Sequence, residues 1–157
     1  MERVTVDPRK LQAWRALVTA HARLFDRLGA DLEQEFGLPL AWYEVLLLLS
    51  ESPAGELRMH ELAESRLLSR SAATRLVERM EKAGLVCRSM CAEDRRGTVV
   101  SLTDAGRDLF TKAGRLHLSG IERWFARSIE SEEAEMLQEV FERLLAGLAE
   151  PLESAPR

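Results

Sequence analysis

SRSAATRLVERMEKAGLVCRSMCAEDRRGTVVSLT, residues 69–103, is the stretch of this chain that decides its fold. Its first part predicts a helix, because the hydroxyl of Ser69 can accept a hydrogen bond from a free N–H of the first turn. Gly84 follows where a helix needs a left-handed residue to end. The buried face is predicted from apolar residues that recur at helical spacing: Ala73, Leu76, Val77 and Met80.

The opposite face of this helix is polar. At about 100° per residue it carries four side chains with two more on its flanks: Ser71, Arg75, Glu78 and Lys82, then Thr74 and Arg79. A helix of this length spans about 20 Å. Held down by its apolar face, it would present hydroxyl and guanidinium groups outward, as insertion into a DNA major groove requires.

The residues on either side complete a larger unit. Residues 57–59 look extended, and residues 60–67 predict a short helix with Leu62, Ala63 and Leu67 facing inward. The tight connection to the next helix makes a helix-turn-helix, whose second helix normally reads DNA.

A hairpin is predicted after the reading helix. Residues 85–91 and 98–102 have strand character, and the polar residues 92–97 between them form a plausible loop. Arg95 and Arg96 at this tip can reach phosphates or enter a narrow minor groove. The predicted fold is mainly α with a small β-hairpin wing, which is a winged helix-turn-helix.

The runs LAESRLLSRSAATRLVERMEKAGLV and EDRRGTVVSLTDAG resemble the MarR family of transcriptional regulators. The close match spans residues 57–106, and the order of elements on both sides fits as well. The resemblance implies a sequence-specific DNA-binding regulator, a homodimeric repressor released by a small ligand. It also implies that Arg96 enters the minor groove and that Asp94 fixes its guanidinium by a charge-assisted pair.

Long amphipathic helices flank the winged unit. Capping and stop signals predict helices at residues 8–35, 40–50, 104–128 and 132–149, the last two capped by Thr103 and Ser131. The helix at 40–50 is apolar on nearly all sides and should be buried. The others are more apolar than a small winged helix needs, which suggests an oligomer interface. A self-sufficient monomeric bundle is the alternative.

We expect a single domain over residues 1–157, in which dimerisation helices at 1–36 and 104–150 flank a winged helix-turn-helix at 40–103. The two-fold homodimer that the resemblance implies would hold two reading helices about one DNA turn, ~34 Å, apart. Such a dimer would select palindromic double-stranded operator DNA.

Eleven residues are candidates for DNA contact. Arg75 faces outward from the middle of the helix and should contact a base edge or a phosphate beside one. The residues at the helix start should hold phosphates, because backbone N–H groups also point there. The full set is Arg58, Ser69, Arg70, Ser71, Thr74, Arg75, Arg79, Arg88, Asp94, Arg95 and Arg96.

A second group of residues could bind an effector. In MarR-like folds the effector pocket lies between the first, second and fifth helices and the reading unit. Aromatic walls with imidazoles would suit a small aromatic or anionic molecule; the candidates are Trp14, His21, Phe25, Trp42, Leu116 and His117. The competing interpretation is that these side chains are ordinary core residues.

Length, composition and charge limit the class of protein to which this chain can belong. The 157 residues, 46% apolar and 31% charged, are typical of a globular domain. No apolar run approaches the ~20 residues of a membrane span, and no signal segment is recognisable, so we expect a cytoplasmic protein without a membrane partner. The net charge is −4, yet residues 66–100 hold eight basic and four acidic residues, so a basic surface is expected on an acidic body.

Metal, redox and enzymatic chemistry are not indicated. Cys87 and Cys91 would lie about 13 Å apart along a strand, beyond the ~7 Å limit for a disulfide, and are predicted to be small apolar filler. No cysteine accompanies a histidine at zinc-binding spacing, and the motifs of common enzymes are missing, so no metal or cofactor is expected. A winged-helix adaptor that binds protein is the second hypothesis, against which the outward arginines argue.

Overall fold

The computed structural model describes residues 5–65, 68–90 and 97–149, which are mostly helical with a small antiparallel sheet, as predicted. The helices are α1 (Pro8–Phe36), α2 (Leu40–Glu51), α3 (Met59–Ser65), α4 (Arg70–Lys82), α5 (Asp104–Trp124) and α6 (Ser131–Ala149). The strands are β1 (Glu56–Arg58), β2 (Val86–Met90) and β3 (Thr98–Leu102). The chain divides into two compact units, Met1–Gly120 and Ile121–Arg157.

Local signals place the ends of α1 and α4 where the sequence predicts them. The Asp7 carboxylate caps α1 by accepting from the backbone N–H of Arg9 at 2.7 Å, and Gly37 ends the helix at φ 59°. The Ser69 hydroxyl caps α4 by accepting from the N–H of Ala72 at 3.2 Å. Gly84 has φ 75°, a left-handed conformation that costs glycine little.

The core of the first unit forms between α2, α3, α4 and the sheet. Residues with no solvent exposure come from each element: Val45, Leu46 and Leu49 from α2, Leu62 from α3, Ala73, Val77 and Met80 from α4, and Val100 from β3. The apolar face predicted for the reading helix is therefore the face that is buried. Its polar face must lie outward, because the two faces are opposite on the same helix.

The wing is part of a three-stranded antiparallel sheet with the order β1-β3-β2. Val100 in the central strand is paired with Leu57 of β1 and Arg88 of β2. The two strands of the hairpin were predicted, whereas the pairing of β1 with β3 was not. β1 thereby joins the residues before α3 to the base of the wing.

The C-terminal end of α5 differs from the prediction. α5 ends at Trp124, and Ala126–Ser128 form a 3₁₀ turn after Phe125 departs from helical angles (φ −121°, ψ −62°). Neither glycine nor proline marks this break, so periodicity alone extended the predicted helix through it. α3 covers Met59–Ser65, and the inward-facing role predicted for Leu67 falls outside the described residues.

The predicted capping of α6 by Ser131 is wrong by one position. Ser131 is already the first residue of the helix, and the N–H of Glu130 donates to the Glu133 carboxylate at 2.9 Å. This is the carboxylate half of a capping box, in which an acidic side chain three residues on reaches back to the cap. The three-residue spacing of Glu130 and Glu133 is the sequence signal for this cap.

Gly106, the glycine of the LTDAG run, lies where α5 begins against the turn after α4. The hydroxyl of Thr103 accepts from the N–H of Gly106 at 3.0 Å and donates to the carbonyl oxygen of Gly84 at 2.6 Å. Gly106 is buried, and a Cβ there would overlap the carbonyl oxygen of Leu85. The close approach of the two backbones therefore requires glycine at this position.

We expect Gly106→Ala to lower the free energy of unfolding by about 1–3 kcal/mol, the usual cost of overpacking, because a backbone carbonyl cannot rotate away as a side chain can. Urea unfolding of the variant measures this loss. Gly147→Ala is the matched control: no atom lies within 4 Å of the added Cβ, so the helix preference of alanine should leave stability unchanged or raised by up to ~1 kcal/mol. Unaltered stability of Gly106→Ala would contradict the packing described.

Candidate nucleic-acid interface

The outer face of α4 is a basic surface. Arg75, Arg79 and Lys82 are exposed and line a shallow depression of about 400 Å³ together with Ala72 and Glu78. The apolar side of the same helix is fixed in the core, so these cations stand on a rigid support. Their guanidinium and ammonium groups are the donors that reach base edges and phosphates of DNA.

The first turn of α4 presents hydroxyl groups and a further arginine. Ser69 Oγ lies 3.2 Å from Ser71 Oγ, and the Thr74 hydroxyl donates to the carbonyl oxygen of Arg70 at 2.9 Å. Ser69, Arg70 and Ser71 are exposed. Free backbone N–H groups and the positive end of the helix dipole also favour an anion at this place.

A second depression, of about 380 Å³, joins three parts of the fold. It is lined by Arg58 and Met59 at the end of β1 and the start of α3, by Arg70 and Thr74 of α4, by Gly97 and Thr98 at the wing base, and by His60. The structure thus brings together Arg58, Arg70 and Thr74, which the sequence nominated separately. Both depressions are lined in part by residues of α4, so this helix contributes candidate DNA contacts to each of them.

His60 and Lys82 belong to these surfaces but were not among the sequence candidates. Lys82 lies on the outer face that the helical periodicity had already defined, so that pattern could have nominated it. His60 lies in the 380 Å³ depression because β1 and α3 meet α4 there, and no local pattern in the sequence signals that meeting.

Arg88 points toward α4. Its Nε and one terminal nitrogen lie 2.9 Å and 2.7 Å from Glu81 Oε2, and the other terminal nitrogen lies 3.7 Å from Glu78 Oε1. The hydrogen bond from Arg88 lowers the pKa of the Glu81 carboxyl, and the same bond raises the pKa of Arg88. The three wing-tip candidates, Asp94, Arg95 and Arg96, lie outside the described residues.

In the described part of the chain the effector candidates fall into two groups. His21 and Phe25 stack on the surface of α1 with ring centroids 4.1 Å apart, and Trp14 is 60% exposed. Trp42 and Leu116 instead pack against the core from α2 and α5. Neither of the two depressions along α4 includes any of the six candidates.

His117 lies in an aromatic setting that the sequence did not identify. Its ring centroid is 4.5 Å from that of Tyr43, which in turn stacks on Phe110 at 5.6 Å. His117 Nδ1 is buried without a hydrogen-bond partner in the part of the chain that the structure describes. Burial lowers the pKa of His117, against the smaller opposing effect of Glu44. Burial therefore favours the neutral imidazole, and its Nδ1 has no hydrogen-bond partner among the described residues.

Cys87 is not the apolar filler that was predicted. It is exposed on β2, and its Sγ lies 3.2 Å from Ser101 Oγ of the paired strand. The strand alternation that buries Val86 turns the next side chain away from the core. Cys91 lies outside the described residues.

The described residues hold no group of three or more His, Cys, Asp or Glu side chains that could bind a metal ion. Among the helices of this part of the chain, none has both the length and the apolar character needed to cross a membrane.

The fold and the basic face of α4 define a winged helix-turn-helix protein of the nucleic-acid-binding class. A sequence profile described as the MarR family matches residues 36–97. The chain is 37% identical over 130 residues to an uncharacterized HTH-type transcriptional regulator, YfiV, of Bacillus subtilis, covering 81% of this chain and 76% of that protein.

Two further comparisons agree. Sco3205, a MarR family transcriptional regulator from Streptomyces coelicolor solved in complex with DNA, has a TM-score of 0.87 and 31% identity, covering 97% of this chain and 94% of that one. A homoprotocatechuate degradative operon repressor of Escherichia coli is 28% identical over 104 residues, 66% of this chain and 68% of that protein. This chain belongs to the MarR family of transcriptional regulators, as the sequence motifs predicted, and these proteins are not enzymes.

The lowered pKa of His117 makes stability depend on pH. An unfolded histidine titrates near pH ~6.5, so between the two pKa values the unfolded chain binds more protons than the folded chain. The free energy of unfolding should therefore fall as the pH drops below about 6.5, and His117→Gln should lose this part of the dependence. Urea unfolding of parent and variant from pH 7.5 to 5 measures the difference; curves that stay parallel would count against it.

Proposed function

We propose that this chain is a sequence-specific DNA-binding regulator that acts as a homodimer on a palindromic operator. The observation that carries the proposal is the basic outer face of α4, which is held in place by the buried apolar face of the same helix. Sco3205, whose fold matches over nearly the whole chain, is in complex with DNA in its solved structure. The shared fold supports the same mode of binding here.

On DNA, α4 would lie in the major groove with Arg75 and Arg79 toward the bases and phosphates. The depression lined by Arg58, Arg70 and Thr74 would accept the backbone beside the groove, because its two arginines carry the charge that attracts phosphates. The wing tip, with Asp94 pairing with Arg96 and with Arg95 beside it, would reach the neighbouring minor groove. Phosphate contacts would fix the register and α4 would supply the sequence preference.

The homodimer is supported by apolar side chains that a single chain leaves in water. On α1 these are Trp14 (60% exposed), Leu17, Val18 and Phe25, and on α6 they are Met136, Phe141, Leu144, Leu145 and Leu148. No residue of α6 is buried. Exposed apolar stripes of this extent mark interaction surfaces. If a second copy covers them, residues 1–36 and 104–150 would form the dimer interface. Residues 40–103 would then remain exposed to bind DNA.

We propose further that the protein is a repressor released by a small aromatic or anionic molecule. A relative is named an operon repressor. The ligand would enter beside His117, whose buried Nδ1 has no hydrogen-bond partner among the described residues and whose ring lies against Tyr43. Trp42 and Leu116 would line its inner side, and Trp14, His21 and Phe25 of α1 would form a wall of the pocket within the dimer. A ligand that prefers the spacing unable to bind DNA lowers DNA affinity by its differential affinity for the two states.

The DNA-binding proposal predicts that selection from a random duplex library enriches a palindrome with half-sites about one helical turn apart. Two chains should bind each selected duplex in sedimentation experiments, and affinity should fall steeply with salt. Arg75→Ala should weaken binding to this operator by about 1–3 kcal/mol and relax preference at defined positions.

Arg115→Ala on α5, also exposed, is the matched control for charge and should bind like the parent. An equal loss on operator and random DNA would reduce Arg75 to a phosphate contact. A protein that enriches no sequence and remains monomeric at micromolar concentration would support the adaptor hypothesis instead.

The effector proposal predicts that aromatic carboxylic acids, screened as a set, include compounds that raise the melting temperature of the parent and weaken its binding to the operator. Trp42→Ala and His117→Leu should lose both responses while binding the operator without ligand as the parent does. Variants that respond like the parent would show that the pocket is elsewhere, and variants that fail to bind the operator would show that the two side chains are only core.

A further inference from the structure

The face of β2 that packs on the reading helix carries one charged residue. Side chains at alternate positions of a strand share a face, so Val86, Arg88 and Met90 point the same way. Val86 is buried in the core beside α4, whereas Met90, at the far end of the strand, is 77% exposed. Arg88 stands between them, paired across the sheet with the buried Val100 and in contact with α4 through Glu81.

At this position the guanidinium of Arg88 reaches two carboxylates of α4. It contacts Glu81 through two nitrogens at 2.9 Å and 2.7 Å, and Glu78 through the third at 3.7 Å. Glu78 and Glu81 are three residues apart and therefore lie on neighbouring turns of the same side of the helix. The planar fork of arginine can serve both carboxylates at once, as a lysine ammonium cannot.

The two carboxylates border the basic surface. Glu78 lines the 400 Å³ depression together with Arg75, Arg79 and Lys82. An unpaired carboxylate there would repel phosphates that approach the same depression, and at separations below the Debye length of about 8 Å at physiological salt this repulsion is only partly screened. The surface that meets DNA therefore needs a positive charge beside Glu78 and Glu81, and Arg88 is the one that the wing strand supplies.

We infer that Arg88 is a positioning residue for DNA binding: it neutralises Glu78 and Glu81 and ties the wing strand to the reading helix, and it does not bind a phosphate itself. The inference rests on the proposed DNA-binding function. It assigns Arg88 a role different from the direct contact that the sequence suggested. The opposite pKa shifts of Glu81 and Arg88 agree with a pair whose charged forms stabilise each other.

A double-mutant cycle tests the inference. Fluorescence anisotropy gives the affinity of the full chain for the selected operator in four proteins: the parent, Arg88→Gln, Glu78→Gln/Glu81→Gln, and the triple variant. Arg88→Gln should weaken binding by about tenfold in the parent, the size typical of coupled charges. In the background without the two carboxylates the same substitution should change affinity by less than about twofold.

Arg70→Gln is the control for a direct contact. Arg70 lies at the opposite end of α4 from Glu81, so its loss of affinity should be the same in both backgrounds. Thermal unfolding identifies any variant that fails to fold. Arg88→Lys then serves as the milder substitution, and it should bind DNA between the parent and Arg88→Gln, because an ammonium can reach one carboxylate but not both.

Each result decides the question. A tenfold loss that persists without the carboxylates would show that Arg88 binds DNA directly and would overturn the inference. An Arg88→Gln variant that binds like the parent would overturn it as well. If the parent protein binds no duplex, the proposed function fails and the inference fails with it. This outcome is distinguishable from the other two, because in both of those the parent binds DNA.

Discussion

The structure depends on the burial of one face of α4. Leu76, Val77 and Met80 turn inward into the core, where α4 packs on α3 and β2, and they are almost fully buried. Burying a side chain of this kind stabilises the fold by about 1.5–3 kcal/mol relative to leaving it exposed. The same contact fixes the rotation of the helix about its own axis. A basic face that could rotate would have no fixed relation to a DNA groove, so the apolar packing is what makes the polar face usable.

The turn after α4 fixes the position of α5 relative to the reading helix. Gly84 adopts the left-handed conformation that ends the helix, and Thr103 bonds to its carbonyl oxygen from the start of α5. Gly106 lets the α5 backbone approach Leu85 more closely than any other residue would allow. Arg88 adds a charged tie between β2 and α4. Backbone contacts thus hold α5 against the turn after α4, and an ion pair holds the wing strand β2 against α4.

In the proposed homodimer, the exposed apolar side chains of α1 and those of α6 would be covered by a second copy. Leu28 and Leu32, in the C-terminal half of α1, are buried, whereas Trp14, Leu17 and Val18 on the N-terminal half are exposed. The C-terminal half of α1 therefore packs into the core of its own chain, and its N-terminal half would contact the second copy in the proposed dimer. A ligand beside His117 and Tyr43 would lie near the residues that connect α2 and α5, so it could alter the spacing of two reading helices without touching either of them.

The sequence by itself determined the elements, because each one follows from a rule that acts over a few residues. Ser69 and Gly84 marked the ends of the reading helix, and the spacing of the apolar residues from Ala73 to Met80 predicted its buried face. Residues 98–102 were predicted to form a strand, and β3 has the same first and last residues. The family motifs in this region determined the class of protein for the same reason. The wing-tip candidates stay predictions, since they fall outside the described residues.

Only the tertiary structure decided which side chains meet. Periodicity states that a residue faces inward or outward, but it does not name the partner on another element. Arg88 therefore looked like one more outward cation until the packing of β2 on α4 placed it 2.7 Å from Glu81. His60 joined Arg58 and Arg70 because β1 and α3 meet α4, and His117 met Tyr43 because α2 lies beside α5. These contacts join residues far apart in sequence, and their geometry is set by the packing of whole elements.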